Sequence, residues 1–380
     1  MIFESLRTAA FRNLADAEVF TGGKDVFLVG ENGQGKTNFL EALYFSSYAS
    51  SFRGVKDNEL ARTGEKDYSA AVKIKDVDGS FASHDQVLVK YEQGKKTVHI
   101  DGKRVEDRKE LLSVIPCIVF CHEDMEFVAG SPEQRRWFFD QSLSLYDPVY
   151  LDDLRRYRRV LKTRNAILRE KPIAGGAIEI LDALDPQIAS YGLKLMEKRE
   201  DAARLFSALF GPLYEDVSGI GDIAVRYAPS WKNDTLEKIT GFLLERRELD
   251  MAAGVSLSGP HRDRYIFTRG SAEFAAKAST GQRRLLALLL RVAQARRFSE
   301  TTGKNPVLLL DDVLLEMDGE KRRKFLSVMP EYDQAFYTFL PEEPYERYRK
   351  SGTLVYYMNS GGVSPGPGSA AASSGKGVSL

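Results

Sequence analysis

Short apolar segments near both ends of the chain alternate with polar or glycine-containing segments, a pattern that predicts β-strands. The predicted strands cover residues 2–10, 25–29, 87–91, 96–100, 115–120 and 307–310. The last of these is continuously apolar, which is typical of a parallel strand buried on both faces. The two ends of the chain are therefore expected to form a mixed α/β structure.

Helical periodicity dominates the middle of the chain. Pro132 and Pro148 each open a run with the helical period, and residues 188–210 form a third. Residues 283–297 predict a strongly apolar helix further on. None of these runs sustains a heptad pattern over many repeats, so a long coiled coil is not expected.

These patterns predict two lobes and a tail. An α/β lobe is expected from residues 1–128 and 251–345, with a mainly helical lobe inserted at residues 129–250. After Asn359 the composition changes to serine, glycine, alanine and proline, which predicts a disordered tail over residues 360–380.

Composition narrows the classes of function. The 380 residues include 54 basic and 54 acidic side chains, so any nucleic-acid site must be a local basic patch. The chain has two cysteines, Cys117 and Cys121, which are too few for a disulfide framework. No further Cys/His pair lies near them in the sequence, so they do not form a zinc site either. No segment has the features of a signal peptide or membrane span, so a cytoplasmic protein without a membrane partner is expected.

The strand predicted at residues 25–29 leads into a glycine-rich segment that fits the phosphate-loop pattern, Gly, four residues, Gly-Lys-Thr. Its loop residues are Gly30, Glu31, Asn32, Gly33, Gln34 and Gly35. Backbone N–H groups of such a loop and the following helix N-terminus cradle phosphates, Lys36 reaches the β- and γ-phosphates, and Thr37 holds Mg²⁺. The alternative is a glycine-rich loop before an ordinary helix.

Two carboxylates follow the strand predicted at residues 307–310. Beside a phosphate loop, Asp311 would be a second magnesium ligand with Thr37. Asp312 would then orient or deprotonate the attacking water. The alternative is a buried strand whose last residues meet solvent.

A third candidate precedes the apolar helix at residues 283–297. Ser279, Gly281 and Gln282 stand at its start, where Ser279 is a plausible N-cap. A capped helix N-terminus can also contact a γ-phosphate. Because one short loop cannot surround a triphosphate, this segment could close the site from a second subunit.

At these residues the chain resembles ATP-binding-cassette ATPases. Ser279-Thr280-Gly281-Gln282-Arg283 is similar to their signature motif in its DNA-repair form, and the match is closest to the RecF family of recombinational repair proteins. The resemblance runs in unbroken order from about residue 1 to residue 340. It also includes Ser51-Phe52-Arg53, Arg135-Arg136, Phe139-Asp140, Tyr157, Arg164-Asn165, Gly259-Pro260-His261-Arg262-Asp263, Leu310–Val313, Glu316 and Asp318.

The resemblance implies an ATP-binding-cassette head that hydrolyses ATP weakly, as a conformational switch. Two ATP molecules, each with Mg²⁺, would lie between two copies of the chain. Lys36, Thr37, Asp311 and Asp312 would come from one copy, and Ser279, Gly281 and Gln282 from the other. Arg12 and Asn13 would touch the nucleotide, and Thr338 occupies the place of a γ-phosphate sensor.

The resemblance also implies the partners. They are double-stranded DNA near gaps or single-strand junctions, a second copy of the chain in an ATP-induced homodimer, and mediator proteins that assist recombinase loading after DNA damage. Three positions depart from the family pattern: the 121–124 segment, Arg264 and Leu315. Leu315 precedes a loop that crosses the dimer interface in relatives, so communication between subunits is expected to differ there.

The helix opened by Pro148 has a basic run. Helical spacing places Arg155, Arg158 or Arg159, and Lys162 on one face, where they are candidate contacts to DNA phosphates. A solvated helix face is the alternative. Two other classes of function remain open. A small-molecule P-loop kinase would leave the 279–282 motif and the aspartate pair unexplained. The ATPase subunit of a membrane transporter would explain all three motifs, but transporters have the Leu-Ser-Gly-Gly-Gln form of the signature.

Overall fold

The computed structural model describes residues 1–77, 83–170, 175–232, 234–314, 317 and 319–366. The chain divides into two compact units, one formed by residues 1–123 and 295 onward, the other by residues 124–294. The strands are β1 (Ile2–Ala9), β2 (Ala17–Phe20), β3 (Asp25–Val29), β4 (Tyr68–Lys75), β5 (Gln86–Glu92), β6 (Lys95–Ile100), β7 (Lys103–Val105), β8 (Cys117–Phe120), β9 (Ile223–Ala228), β10 (Arg264–Arg269), β11 (Ala272–Glu273), β12 (Val307–Leu310), β13 (Gln334–Phe339), β14 (Leu354–Asn359) and β15 (Gly362–Pro365). The helices are α1 (Lys36–Tyr48), α2 (Arg108–Leu112), α3 (Glu126–Ala129), α4 (Pro132–Tyr146), α5 (Pro148–Arg169), α6 (Gly175–Ser218), α7 (Leu236–Glu245), α8 (Arg247–Ala253), α9 (Thr280–Thr302) and α10 (Gly319–Ser327).

The first unit contains an antiparallel sheet in the strand order β2-β1-β4-β5-β6-β7. Buried and more exposed residues alternate along β4, so one face of this sheet lies against a core. The strands predicted at residues 87–91 and 96–100 are observed as β5 and β6, which form a hairpin in which Val87 pairs with Ile100. Its turn residues Gln93 and Gly94 both have positive φ angles, as a two-residue hairpin turn requires.

The second sheet of this unit has the order β15-β14-β3-β13-β12-β8. Strands β14, β3, β13, β12 and β8 run parallel, and every residue of β3, β8, β12 and β13 is buried. Burial on both faces agrees with the apolar segments that predicted β3, β8 and β12. Helix α1 contributes Phe39, Leu43 and Phe45 to a core shared with strands of both sheets, which fixes the helix that follows β3.

The second unit is mainly helical. Helices α5 and α6 pack against each other, and α6 also packs against β9 in a three-stranded antiparallel sheet of order β11-β10-β9. Two buried arginines on these helices form ion pairs. Arg164 pairs with Asp185 and Asp250, and Arg199 pairs with Asp140 and Asp263.

The unit boundaries differ from the predicted ones. The helical unit spans 124–294 rather than 129–250, because β10 pairs with β9 and α4 packs against β10. The predicted disordered tail is wrong at its start, since Gly362–Pro365 forms β15 against β14. The rest of that tail, residues 367–380, lies outside the described residues. No helix in the described part of the chain has the length and hydrophobicity to cross a membrane.

Candidate nucleotide site

The glycine-rich loop lies between the buried strand β3 and helix α1. Gly33 and Gly35 have φ angles of 79° and 109°, in the left-handed region that glycine adopts without strain. Gly35 is the residue at the N-cap of α1, and no side chain caps this helix. The N-terminal N–H groups of α1 therefore face the loop, as an anion site needs.

Lys36 is nearly buried at the start of α1, with an exposed fraction of 4%. Its ammonium group donates to the carbonyl oxygens of Gly30 at 2.5 Å and Glu31 at 3.1 Å. The Lys36 side chain thus lies across the glycine-rich loop, and its positive charge is held next to the loop backbone.

The end of β12 brings Asp311 to the first turn of α1. The hydroxyl of Thr37 donates to the Asp311 carboxylate at 3.0 Å. Strand β13, which lies between β12 and β3, supplies Thr338. The Thr338 hydroxyl accepts from the backbone N–H of Asp312 at 2.7 Å, and its single proton can go to Asp312 at 2.8 Å or Asp311 at 3.3 Å. The sheet order therefore brings the start of α1, Thr338 and the aspartate pair together at the carboxyl ends of three adjacent strands.

Asp311 is 9% exposed, and its environment favours the protonated form. Burial and then the neighbouring charge of Asp312 raise the pKa of Asp311 to about 7, against hydrogen bonds from Thr37 and Thr338 that lower it. Two carboxylates and a buried lysine within one short loop and strand end are typical of a site built for a charged ligand.

The oxygen donors at this edge fit Mg²⁺. A hydroxyl from Thr37 and a carboxylate from Asp311 are hard oxygen ligands that already lie within hydrogen-bonding distance of each other. Among the described residues, no group of three or more His, Cys, Asp or Glu side chains could hold a metal alone. That donor set suits an ion that completes its coordination with phosphate oxygens and water.

Arg12 and Asn13 differ in how they meet the loop. The Arg12 guanidinium donates to the Glu41 carboxylate at 2.9 and 3.2 Å, and Glu41 is fully buried in α1. Ser51 also donates to Glu41, and Arg53 lies 3.8 Å from it. The Asn13 amide instead donates to the carbonyl of Gly33 at 3.3 Å. The contact of Arg12 with nucleotide therefore stays a prediction. In the structure, the Arg12 guanidinium neutralises the buried carboxylate of Glu41. Sequence analysis did not single out Glu41.

Ser279 and Gln282 form a capping box at the start of α9. The backbone N–H of Ser279 donates to the Gln282 side chain at 2.8 Å, and the Gln282 N–H donates to the Ser279 hydroxyl at 3.3 Å. The predicted N-cap is therefore observed. Ser279 and Gly281 are exposed, and no atom lies within 4 Å of the position that a Cβ on Gly281 would occupy. The segment thus presents an open surface from the second unit.

The basic face of α5 is partly neutralised. Arg155 lies 4.0 Å from Asp152, and Arg158 pairs with Asp140 at 3.3 Å. Arg159 and Lys162 are exposed and form no ion pair within the part of the chain that the structure describes.

Sequence analysis did not place Arg226 or Arg264 among the candidate DNA contacts, yet both are exposed and form no ion pair within the described ranges. Both lie on the outer face of the three-stranded sheet, because Arg226 is opposite Ile266 and Arg264 is two residues before it. Only their alternation with buried neighbours could have indicated this face.

His261 has a structural environment. Its Nε2 donates to the carbonyl of Ser256 at 2.9 Å, so its Nδ1 accepts from the Tyr157 hydroxyl at 2.7 Å. Cys117 and Cys121 are buried free thiols. The predicted family positions Leu315, Glu316 and Asp318 lie outside the described residues.

A parallel sheet that places a glycine-rich loop beside an aspartate pair, in a chain with a second, mainly helical unit, is the fold of the SMC-type ATPase heads. The family model described as RecF/RecN/SMC N terminal domain matches residues 2–360. The DNA replication and repair protein RecF of Treponema pallidum (strain Nichols) is 45% identical over 351 residues, which are 92% of this chain and 97% of that protein. The RecF protein of Moorella thermoacetica is 33% identical over 82% of each chain. The chain belongs to the RecF family of DNA replication and repair proteins.

Solved structures agree with this assignment. A structure of the recombination mediator protein RecF with ATP, from the RecFOR pathway, superposes with a TM-score of 0.86 at 26% identity. The match covers 96% of this chain and 97% of that one. An Smc head bound to the C-terminal winged-helix domain of ScpA has a TM-score of 0.53 at 14% identity, which shows a shared fold alone.

Proposed function

We propose that this protein is an ATP-dependent DNA clamp of recombinational repair and replication restart. The observation that carries the proposal is the meeting of Lys36, Thr37, Asp311 and Asp312 at one sheet edge in a RecF-family chain. The similar RecF structure contains ATP, which supports the same nucleotide here.

The nucleotide phosphates would lie on the loop of residues 30–35 and at the N-terminus of α1. Lys36 would exchange its bonds to the carbonyls of Gly30 and Glu31 for phosphate oxygens. Thr37 and Asp311 would hold Mg²⁺, which supplies charge neutralisation for the phosphates when bound.

Asp312 is the residue we assign to the attacking water. It follows Asp311 with a φ angle of 51°, an uncommon backbone conformation for a non-glycine residue. Its backbone N–H and its carboxylate are both bonded to Thr338, so its orientation is fixed by β13. A carboxylate held in this way can orient water or accept its proton.

The dimer would use the open segment of residues 279–282. Its exposed serine and glycine and the start of α9 can offer N–H groups to a γ-phosphate bound by a second copy. ATP would then stabilise the dimer through differential contacts, and hydrolysis would release it.

DNA binding would be independent of sequence. Arg159 and Lys162 on α5, with Arg226 and Arg264 on the sheet face, are exposed cations that form no ion pair in the described segments. Arginine and lysine contacts to phosphates give affinity that falls as salt rises. A gapped or junction-containing duplex is the proposed substrate, and recombination mediator proteins are the proposed partners.

The alternative classes explain less. A small-molecule kinase would leave the exposed 279–282 segment without a role, and a transporter ATPase subunit does not account for the near-complete match to RecF proteins.

Light scattering with and without ATP–Mg²⁺ tests the clamp directly. An Asp312→Asn variant should slow hydrolysis, become a dimer only with ATP, and then retain a gapped duplex. An unchanged molar mass in the presence of bound ATP would remove the clamp mechanism.

A further inference from the structure

The hairpin of β14 and β15 contacts the phosphate loop through its turn. The backbone N–H of Ser360 donates to the Gln34 side-chain oxygen at 2.6 Å, and the N–H of Gly361 donates to the Gln34 carbonyl at 2.9 Å. These donors belong to residues 358–361, the C-terminal turn. Two successive backbone N–H groups of this turn therefore bind one residue, Gln34, at the centre of the loop.

The same turn also fixes the 13–15 segment beside the loop. The carbonyl of Gly361 accepts from the N–H of Ala15 at 2.9 Å. Gly361 has a φ angle of 80°, and a Cβ built on it would lie 1.7 Å from the carbonyl oxygen of Asn13. The Asn13 side chain donates to the carbonyl of Gly33 in the loop. Gly361 is therefore connected to the loop through Asn13 as well as through Gln34.

The start of the loop is held by β14. A Cβ on Gly30 would lie 2.6 Å from the carbonyl oxygen of Met358, so only glycine permits this approach. The C-terminal turn thus meets the loop near its start at Gly30 and near its middle at Gln34. β14 already pairs with β3 as far as Tyr357 and Val29, and the contacts of the C-terminal turn extend this pairing into the loop.

We propose that the C-terminal turn is a positioning element for nucleotide, which holds the phosphate loop in its binding shape and thereby sets the ATP affinity. The proposal rests on ATP binding at residues 30–37, as proposed above. Preorganised backbone donors bind a ligand more tightly because less conformational freedom is lost on binding. None of the turn residues needs to touch ATP for this effect.

Gly361→Ala tests the proposal, and Gly352→Ala is its matched control. Gly352 has a φ angle of 82°, but a Cβ there meets no atom within 4 Å. Both substitutions introduce the same backbone strain, and only Gly361→Ala also displaces Asn13. We expect Gly361→Ala to raise the Kd for ATP about tenfold or more, and Gly352→Ala to change it less than twofold.

A second measurement uses the unaltered protein, so its result does not depend on whether the Gly361→Ala variant folds. Coupling is reciprocal, so ATP binding must stabilise the C-terminal turn if the turn favours ATP binding. Hydrogen exchange of the Ser360 and Gly361 amides in the unaltered protein should slow when ATP is added. Unchanged exchange at these two amides, with ATP bound, would overturn the proposal.

The outcomes separate the two proposals. An unaltered protein that binds no ATP contradicts the proposed function itself. An unaltered protein that binds ATP, with a Gly361→Ala variant of equal affinity and normal stability, contradicts only the role of the turn.

Discussion

The Thr37 hydroxyl donates to the Asp311 carboxylate across 3.0 Å, although 274 positions separate the two residues in the chain. This bond joins the first turn of α1 to the end of β12 and brings the two halves of the proposed nucleotide site together. The arrangement around this bond and the contacts of the second unit lead to five testable predictions.

Replacing Lys36 by alanine should lower ATP affinity and turnover by roughly 100-fold, because a preorganised charge at the phosphates is lost. The buried ammonium group also bonds two loop carbonyls, so the loop itself should loosen. Calorimetric ATP titration measures the affinity. Thermal unfolding without ATP shows whether the variant is folded, and near-normal affinity in a folded variant would contradict the assignment.

Ser279→Arg should leave ATP binding to the monomer intact and block the ATP-dependent dimer, because the added side chain fills an exposed surface. Ser131→Arg is a matched control. Ser131 is also exposed and forms the same kind of capping box, with Gln134 at the start of α4. Each substitution removes a cap contributing about 1 kcal/mol, so only their effects on dimerisation should differ. A Ser279→Arg protein that still dimerises with ATP contradicts the composite site.

Alanine at both Arg159 and Lys162 should weaken DNA binding and reduce its salt dependence. Each lost phosphate contact lowers the slope of log K against log salt by about 0.9. Arg204→Ala is the control, because Arg204 is exposed but already pairs with Asp201 at 2.7 Å. Fluorescence anisotropy at several salt concentrations measures both quantities. Equal slopes for the double variant and the control would exclude this face of α5.

A double variant with Arg226→Ala and Arg264→Ala tests whether the face of the three-stranded sheet contacts DNA. The measurement is again fluorescence anisotropy at several salt concentrations. We expect the same uniform weakening across DNA sequences, since neither arginine belongs to a base-reading motif. A change of sequence preference rather than of overall affinity would contradict phosphate contact.

Protonation of His261 should destabilise the second unit at acidic pH. Burial, followed by the positive charges of Arg262 and Arg136, lowers the pKa of His261 to about 4, from 6.5 in the unfolded chain. A depressed folded pKa favours the neutral form, so this stabilisation is complete above pH 6.5 and is lost as pH falls toward 4. The loss should reach about 3 kcal/mol at most. Denaturant unfolding of the parent and a His261→Asn variant across this range measures it, and equal pH dependence would contradict the argument.

Local pattern was enough to predict the glycine-rich loop, the aspartate pair and three of the parallel strands, β3, β8 and β12. Glycine spacing, a Lys-Thr pair and continuous apolar runs each have one dominant physical interpretation. The role of Arg12 was not predictable, because Glu41 looks like an ordinary polar residue within α1 and its burial depends on tertiary packing.

The longest helix shows a second limit of local pattern. Helix α6 continues through Pro186 and Pro212, residues that usually end or kink a helix, so the sequence favoured a shorter segment at residues 188–210. Its packing against α5 and β9 supplies the stabilisation that overrides this preference. The strand β15 was missed for a related reason: glycine, serine and proline favour a loop, and pairing with β14 decides otherwise.

The position of β3 in its sheet has a consequence for synthesis on the ribosome. Both of its neighbours, β13 and β14, come from the last fifty residues of the described chain, about 300 positions after β3. Synthesis proceeds at roughly 5–20 residues per second. The apolar strand β3 therefore remains without a neighbouring strand for on the order of 15–60 s after it is made. Nascent chains should therefore need protection of this strand, and a prematurely terminated product should neither bind nucleotide nor stay in solution.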